Sequence, residues 1–257
     1  MFYDSGSSLT GSLLFPELVT IGNCGMEYSF RAANVELISF PKLASIGDNG
    51  MYGSFEGRSS ISGSISFPKL TSIGKSGMYR TFTACTGITG SITFPELTTM
   101  GSYGLYYCFS GCTGLTGSVS FSKLTTVESY GLNSCFYNCT ELTGSVSFSK
   151  LTTIGDYGLA SCFSGCTGLT GSISFPELTT INTYGLRGCF YGCTGLTGSV
   201  SFPKLTSVRT QGLKDAFNGC TGITELHFKS TAQSVISGTQ GYSDNFGATN
   251  ATIYFDL

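Results

Sequence analysis

The sequence predicts a right-handed solenoid of stacked turns, with one parallel sheet of about eight short strands, short helices or 3₁₀ turns on the opposite side, and a C-terminal cap. A cysteine opens near-identical segments at intervals of 27 residues, at Cys85, Cys112, Cys139, Cys166, Cys193 and Cys220. A phenylalanine recurs at intervals of 25 to 27 residues, at Phe15, Phe40, Phe67, Phe94, Phe121, Phe148, Phe175, Phe202 and Phe228. A fixed period of this length indicates units that bury their apolar faces only by stacking on one another.

The same spacing divides the chain into two parts. Residues 1–228 form the predicted array of eight to nine turns, each 25–27 residues long, and residues 229–257 form the predicted cap. Residues 1–8 resemble the end of a preceding turn, since Tyr3 precedes Leu9 by six residues just as Phe109 precedes Leu115. The chain is therefore expected to begin inside the array, either as an excerpt of a longer protein or as a native start with an unusual cap.

Each turn contains a short strand whose serines are predicted to point outward. Val119 and Phe121 alternate with Ser118, Ser120 and Ser122, which is the two-residue period of a strand with one buried face. We therefore predict a concave sheet lined by hydroxyl groups, and we interpret this sheet as the candidate binding surface. Its residues are Ser64, Ser66, Ser91, Thr93, Ser118, Ser120, Ser145, Ser147, Ser172, Ser174, Ser199 and Ser201.

The opposite side of each turn is predicted to be a short helix or a 3₁₀ turn. Leu105, Cys108, Phe109 and Cys112 are spaced i, i+3, i+4 and i+7, so all four would lie on one face of such an element. Before it, a Leu-Thr-Thr-Val segment beginning at Leu124 in one copy predicts a second short extended piece. Each turn is therefore predicted to run strand, bend, short helix, turn.

The last segment departs from the repeat and is predicted to cover the open end of the array. Ser230 followed by Gln233 is typical of a capping box, and Gly238 is a plausible helix end. Ile253 and Phe255 alternate with polar residues and predict a final strand. Solenoids need an atypical terminal unit of this kind because the last turn would otherwise expose its apolar face.

The composition excludes two classes of partner. Charged residues make up 11% of the chain and the net charge is −2, without a basic run, so the electrostatic footprint of a nucleic-acid-binding protein is missing. No apolar stretch approaches the ~20 residues of a membrane span. We expect no nucleic acid partner, no membrane insertion within this chain, and a neutral, hydroxyl-rich surface.

The cysteines and the single histidine raise the question of a metal or catalytic site. The 11 cysteines fall mostly in two columns of the repeat, which favours buried, reduced thiols over zinc ligands, although disulfides and a metal remain alternatives. His227 is the only histidine, and Glu225 is predicted to share its face at the last rung. We predict no catalytic residues, no metal and no cofactor, and therefore no enzyme.

Two further columns of the repeat carry charged residues and tyrosines. One column carries charges, which we interpret as pairs that set register and solubility, at Glu17, Lys42, Lys69, Glu96, Lys123, Lys150, Glu177 and Lys204. The other carries tyrosines at 103, 130, 157 and 184, near the start of the predicted helix. The tyrosines fit an amphipathic edge with the ring inside and the hydroxyl outside, and the alternative is an exposed strip that binds sugar or protein.

The order of residues within one turn resembles the BspA-type (treponemal) leucine-rich repeat. One copy consists of Cys85, Ile88, Ile92, Phe94, Pro95, Leu97, Met100, Gly101, Phe109 and Cys112, and the resemblance covers about residues 9 to 228. The family unit is shorter, since residues 102–105 lengthen the helical side here, and a cysteine replaces the family's small residue at positions 108, 135, 162 and 189. The ending GATNATIYFDL also resembles the ends of similar repeats on phage-tail or prophage proteins.

This resemblance implies a leucine-rich-repeat solenoid on a non-catalytic, surface-displayed bacterial protein used in adhesion or host contact. The expected partners are a host or cell-surface protein or a glycan. The expected location is extracellular or the cell surface, with signal and anchor outside this chain, and the expected state is a monomer. Near-identical turns favour the alternative of a structural spacer in a longer surface or phage-tail-like protein. Irregular turns one to three favour a binding site at the N-terminal end.

Overall fold

The protein is a parallel β-solenoid of about nine turns, which confirms the predicted fold class. The computed structural model describes residues 9–256, except for the side chain of Ser172. The prediction for residues 1–8 lies outside this range. Each turn has three sides, and two of them consist of short parallel strands that pair with the equivalent strands of the neighbouring turns.

The first side, which we call the serine face, contains the strands with the outward serines. Its strands are Thr10–Leu14, Asn34–Ser39, Ile92–Thr93, Val119–Ser120, Val146–Ser147, Gly171–Ser174, Leu196–Phe202, Gly222–Phe228 and Thr252–Phe255. The third turn contributes only an isolated parallel bridge between Gly63 and Ile88. Inward positions such as Val119 and Phe121 are buried, as the alternating pattern predicted.

The second side, which we call the threonine side, consists of two-residue strands from the predicted second extended piece. They are Thr20–Ile21, Ser45–Ile46, Ser72–Ile73, Thr99–Met100, Thr126–Val127, Thr153–Ile154, Thr180–Ile181 and Ser207–Val208. Between residues 9 and 256 the solenoid therefore has two columns of strands divided among five sheets, where a single sheet was predicted. The reason is that this segment of each turn, which is Leu-Thr-Thr in the regular copies, pairs in register with its equivalents in the adjacent turns and so forms its own ladder.

The third side, which we call the turn ribbon, lies where a short helix or a 3₁₀ turn was predicted, and it forms no helix in the described residues. In the fourth turn the N–H groups of Tyr103, Leu105 and Tyr107 donate to carbonyls of the next turn at 2.8–3.1 Å. The residues between them donate backward within the turn, as when Tyr106 N–H bonds to Tyr103 O at 3.2 Å. Half of the amides thus make the i→i−3 bonds of a 3₁₀ turn, and half link adjacent turns.

A left-handed backbone at every fourth residue prevents the turn ribbon from continuing as a helix. In the fourth turn φ is +60° at Tyr103, +53° at Tyr107 and +72° at Gly111. A left-handed conformation costs a non-glycine residue roughly 1–2 kcal/mol, so hydrogen bonds to the next turn and packing must offset it. The predicted inward residues are nevertheless correct, since Leu105 and Cys108 have no exposed surface.

The core between the three sides is built on two ladders of phenylalanine. Along the serine face the rings of Phe15 through Phe228 stack in register, with successive centroids 5.0–6.0 Å apart. Along the turn ribbon a second ladder runs from Phe30 to Phe217 with centroids 5.1–5.8 Å apart. Each ring inside a ladder therefore buries both faces against copies of itself, and stacking makes one continuous core.

Residues 229–257, which we propose as the cap, contain the only α-helix in the described part of the chain. It spans Gln233–Ser237 between 3₁₀ segments Ser230–Ala232 and Tyr242–Gly247, and Gly238 follows it directly. The predicted capping box is wrong, because no side chain caps either Ser230–Ala232 or the α-helix. The predicted last strand forms as Thr252–Phe255, while Leu257 lies outside the described residues. None of the helices found between residues 9 and 256 has the length and apolar character needed to cross a lipid bilayer.

Candidate functional site

The serine face brings the predicted binding residues together in two outward rows. The first row has two paired segments. One runs from Thr93 through Ser120 to Ser147, and the other runs from Ser174 through Ser201 to His227 and Tyr254. The parallel row contains Ser91, Ser118, Ser145 and Ser199. Ser64 and Ser66 lie on the third turn, where the strand is reduced to one bridge. All of these side chains are exposed or half-buried, and the side chain of Ser172 lies outside the described residues.

The hydroxyls of this face are partly used within the sheet. Ser91 Oγ accepts the N–H of Ser118 at 3.0 Å, and Ser118 Oγ accepts the N–H of Ser145 at 3.2 Å. Ser174 and Ser201 share a hydroxyl–hydroxyl bond of 3.1 Å. A bonded hydroxyl oxygen keeps a second lone pair, and its proton can rotate toward a ligand. The face therefore offers a regular but shallow grid of neutral donors and acceptors.

At the C-terminal end of the row, His227 lies between two carboxylates. Its Nδ1 is 2.9 Å from Asp256 Oδ1 and its Nε2 is 3.1 Å from Glu225 Oε2, so Glu225 shares its face as predicted. These hydrogen bonds, that to Asp256 above all, raise the pKa of the imidazole above its ordinary value. Ser201 pairs with His227 across the rungs, but both ring nitrogens are directed at carboxylates. The geometry is that of an imidazole on the last array strand, bridged to a carboxylate of the cap segment, without a serine activated by it.

The charged column forms cross-turn ion pairs, as predicted. Lys42 pairs with Glu17, Lys123 with Glu96 and Lys204 with Glu177, each at 2.7 Å. Hydrogen bonds from the lysines lower the pKa of Glu96 and of Glu177. All of these groups are exposed, so each pair adds little to stability and mainly favours the correct register of adjacent turns.

The predicted tyrosine column is a stack on the turn ribbon. Tyr103, Tyr130, Tyr157 and Tyr184 are half-buried, with successive ring centroids 4.6–4.7 Å apart and nearly parallel planes. A second stack, Tyr52, Tyr79 and Tyr106, meets the first at the fourth turn. Burial raises the pKa of Tyr106 to about 12. Rings stacked in this way cover one another's faces, so the ladder presents ring edges and hydroxyls to solvent.

The irregular first turns carry a small cluster of charged side chains on the turn ribbon. Glu56 accepts a salt bridge from Arg31 at 2.7 Å and from Arg80 at 3.5 Å. Arg31 also lies over the ring of Tyr28, at 5.0 Å from its centroid. The arginines are therefore held by protein groups, and two of them share the single carboxylate of Glu56.

Sequence reasoning missed a depression on the turn ribbon. A cavity of about 480 Å³ lies between the fourth and eighth turns. It is lined by Tyr107, Asn133, Ser134, Tyr157, Ala160, Ser161, Ser164, Arg187, Gly188, Tyr191 and Asp215. We call it the ribbon trough. The signal was present in the sequence, because three small residues in successive turns follow Tyr107 at the same position of the repeat, but only the structure places that column outward.

The two cysteine columns lie in the core, and in one of them a hydrogen bond from the thiol explains why the residue is cysteine. Cys112 Sγ donates to Phe82 O at 3.0 Å, and the same bond of 2.9–3.1 Å recurs from Cys85 to Cys220. The thiol thus links each turn to the one before it. Burial raises the pKa of Cys85 to about 12 and that of Cys108 well above its ordinary value. All cysteines are free, and the described residues contain no group of three or more side chains placed to hold a metal.

We predict that only Cys24 reacts when the native protein is alkylated without reductant. The thiolate is the reactive form, and ten cysteines are buried while Cys24 is half-exposed. Mass spectrometry before and after denaturation measures this, with one modified cysteine expected in the native protein and all 11 after unfolding. Protected pairs that become accessible only after reduction, or stoichiometric zinc in the native mass, would show that the thiols are not free.

Comparison with known proteins adds a family model and two structures. The model of the BspA type leucine rich repeat region matches six copies, over residues 25–161, 53–189 and 132–243. A leucine-rich repeat protein from Bacteroides ovatus is similar in structure, with a TM-score of 0.56 and 22% identity over 95% of this chain. This chain spans about half of that protein, 54% of its length.

A leucine rich cell surface protein from Faecalibacterium prausnitzii matches more distantly, with a TM-score of 0.32 and 14% identity over 90% of each chain. No curated protein is significantly similar to this chain. At 22% identity the likeness to the Bacteroides ovatus protein bears on the fold alone.

Proposed function

Because the chain belongs to the BspA-type leucine-rich repeat family, we propose that it is a non-catalytic recognition scaffold displayed on a bacterial surface. Its role is adhesion, through contact with a host or cell-surface protein or glycan. The observation that carries this proposal is the serine face, where outward hydroxyls from successive turns form rows in register. The protein acts as a monomer, outside the cell, without nucleic acid or cofactor.

The serine face suits an extended or repetitive partner. Its hydroxyl groups repeat at every turn, so one partner can make several weak contacts that act together. Charge plays little part, because the chain has a net charge of −2 and its charged column is largely paired. We therefore expect binding to be almost independent of ionic strength, unlike recognition across a charged interface.

Replacing Ser120, Ser147 and Ser174 together by lysine is expected to abolish this binding. These side chains point away from the core, so the fold should persist while three charges and three long side chains block the hydroxyl row. The measurement is binding of the protein to arrays of host extracellular proteins and glycans, at low and at moderate salt, with circular dichroism to check the fold.

The matched control places the same three lysines in the same turns but off the serine face, at Thr113, Thr140 and Thr167. Binding that survives the serine-face variant, or is lost equally in the control, would remove the serine face as the site. Binding that collapses between low and moderate salt would instead indicate a charged interface.

A structural spacer is the second candidate function. Uniform turns and the use of Ser91 and Ser118 hydroxyls inside the sheet favour it, since a spacer needs regular stacking and no free recognition groups. In this case recognition belongs to another domain of a longer surface or phage-tail-like protein. The arrays then detect no partner for this chain, while a longer protein that contains it binds.

A further inference from the structure

The ribbon trough exists because one column of the turn ribbon loses its large side chains. The column reads Tyr107, Ser134, Ser161, Gly188 and Asp215 in five successive turns, all with φ between +52° and +58°. Three small residues thus lie between a tyrosine and an aspartate, and Ser134 forms a buried floor. With turns ~4.8 Å apart, the column spans roughly 19 Å along the solenoid axis.

Polar side chains that line the trough keep hydrogen-bond donors and acceptors available to a ligand. The ion pairs of the described residues include neither Arg187 nor Asp215, although both line the trough. Arg187 is held by its position over the Tyr184 ring, 5.4 Å from the centroid, which leaves its N–H groups available. Ser134 Oγ donates to Asn133 Oδ1 at 2.9 Å and so fixes the amide, with its Nδ2 free to donate.

Aromatic surface is open in the trough, unlike in the tyrosine ladder. Tyr107 contacts Tyr106 and Arg80, and the next residue of its own column is Ser134, so no ring of the described part stacks on it from the trough side. Tyr191, on the seventh turn, is 51% exposed. Two tyrosines in the lining therefore offer apolar surface next to directed hydrogen-bonding groups.

The charge balance of the trough selects among ligands. One guanidinium and one carboxylate cancel, so neither a phosphate nor a polycation is favoured. A sugar ring presents hydroxyls that need both donors and acceptors at its edge, and a C–H face that packs on an aromatic ring. A volume of about 480 Å³ falls in the range of small-molecule sites, ~300–1,000 Å³. We propose that the ribbon trough binds a short, linear, neutral oligosaccharide, a second site on the side of the solenoid away from the serine face.

The test is binding to an array of neutral di- to hexasaccharides, followed by calorimetry with any oligosaccharide that binds. Ser161→Tyr should weaken binding about tenfold or more, because a tyrosine there fills the trough. The backbone accepts this residue, since Tyr107 has the same φ of +53° in the same column. Ser120→Tyr, which adds the same side chain to the serine face, should leave oligosaccharide binding unchanged.

Asp215→Ala removes the acceptor without adding bulk, and it should also weaken binding about tenfold. It keeps the test decisive if Ser161→Tyr fails to fold. The proposal is overturned by an array without a bound neutral oligosaccharide, or by binding that persists in a folded Ser161→Tyr or Asp215→Ala variant. The triple lysine variant of the serine face separates the two sites: it should keep oligosaccharide binding in the trough, so loss in that variant alone assigns the ligand to the serine face.

Discussion

Phe136→Ala is expected to lower the free energy of unfolding by about 3–5 kcal/mol. Phe136 has no exposed surface and stacks between Phe109 and Phe163, with centroids 5.4 and 5.3 Å away. Removing its ring leaves a cavity in the middle of the ladder, and neighbouring turns cannot close it without breaking their own register. Because a repeat array is stabilised by contacts between adjacent turns, the unfolding transition should also broaden.

Urea unfolding followed by circular dichroism measures this effect, since the chain contains no tryptophan. The controls are Tyr137→Ala, at the next residue, whose side chain is 39% exposed, and Ser120→Ala on the serine face. Ser120→Ala should change stability by less than about 0.5 kcal/mol, as is usual at the surface. Tyr137→Ala removes a partly covered ring and should cost less than Phe136→Ala. Equal unfolding midpoints for Phe136→Ala and the two controls would refute the inward assignment of the second phenylalanine ladder.

Gly158→Ala is expected to lower the free energy of unfolding by about 1–3 kcal/mol, through overpacking. A Cβ at Gly158 would lie 2.9 Å from Ile154 Cγ2 and 3.1 Å from Gly155 O, closer than a relaxed structure allows. Its backbone is not left-handed, so the clash alone decides the sign. The same position is glycine in eight successive turns, at 25, 50, 77, 104, 131, 158, 185 and 212.

Gly238→Ala is the matched control, because a Cβ there meets only Ser234 O at 3.5 Å and Val235 O at 3.8 Å. Its φ of −85° suits alanine, so the change should be neutral or stabilise by about 0.4–1 kcal/mol, by restricting the unfolded chain. The same urea titration compares the two variants. A stabilised Gly158→Ala protein would show that the turn ribbon and the threonine side do not pack as closely as described.

The prediction of a short helix shows where sequence periodicity is ambiguous. Leu105, Cys108, Phe109 and Cys112 have helical spacing, and all four are buried. The turn ribbon also has a period of four residues, because its backbone is left-handed at every fourth residue. It therefore directs the same positions inward. Burial was therefore predictable from the pattern, whereas the backbone conformation depends on hydrogen bonds to the neighbouring turn, which no single turn contains.

The two candidate sites differ in how far the sequence alone predicts them. The outward rows of the serine face were predictable, since a strand alternates its side chains strictly and the serines have one parity. The ribbon trough was not, because the 27-residue period places Tyr107, Ser134 and Ser161 in one column whatever the backbone, but it does not say on which side of the turn that column lies. Only the left-handed backbone of the turn ribbon places this column in the lining of one trough with Arg187 and Tyr191.

The sequence by itself determined the number and length of the turns, the residues of the core and the outward serines. These follow from period and polarity, since apolar residues recurring at a fixed spacing must be buried together. The tertiary structure alone decided the second strand column, the thiol bonds from Cys112 and its equivalents, the steric need for Gly158, and the trough. Each of these depends on the distance between adjacent turns, and that distance is set when the backbones of two turns hydrogen-bond to each other.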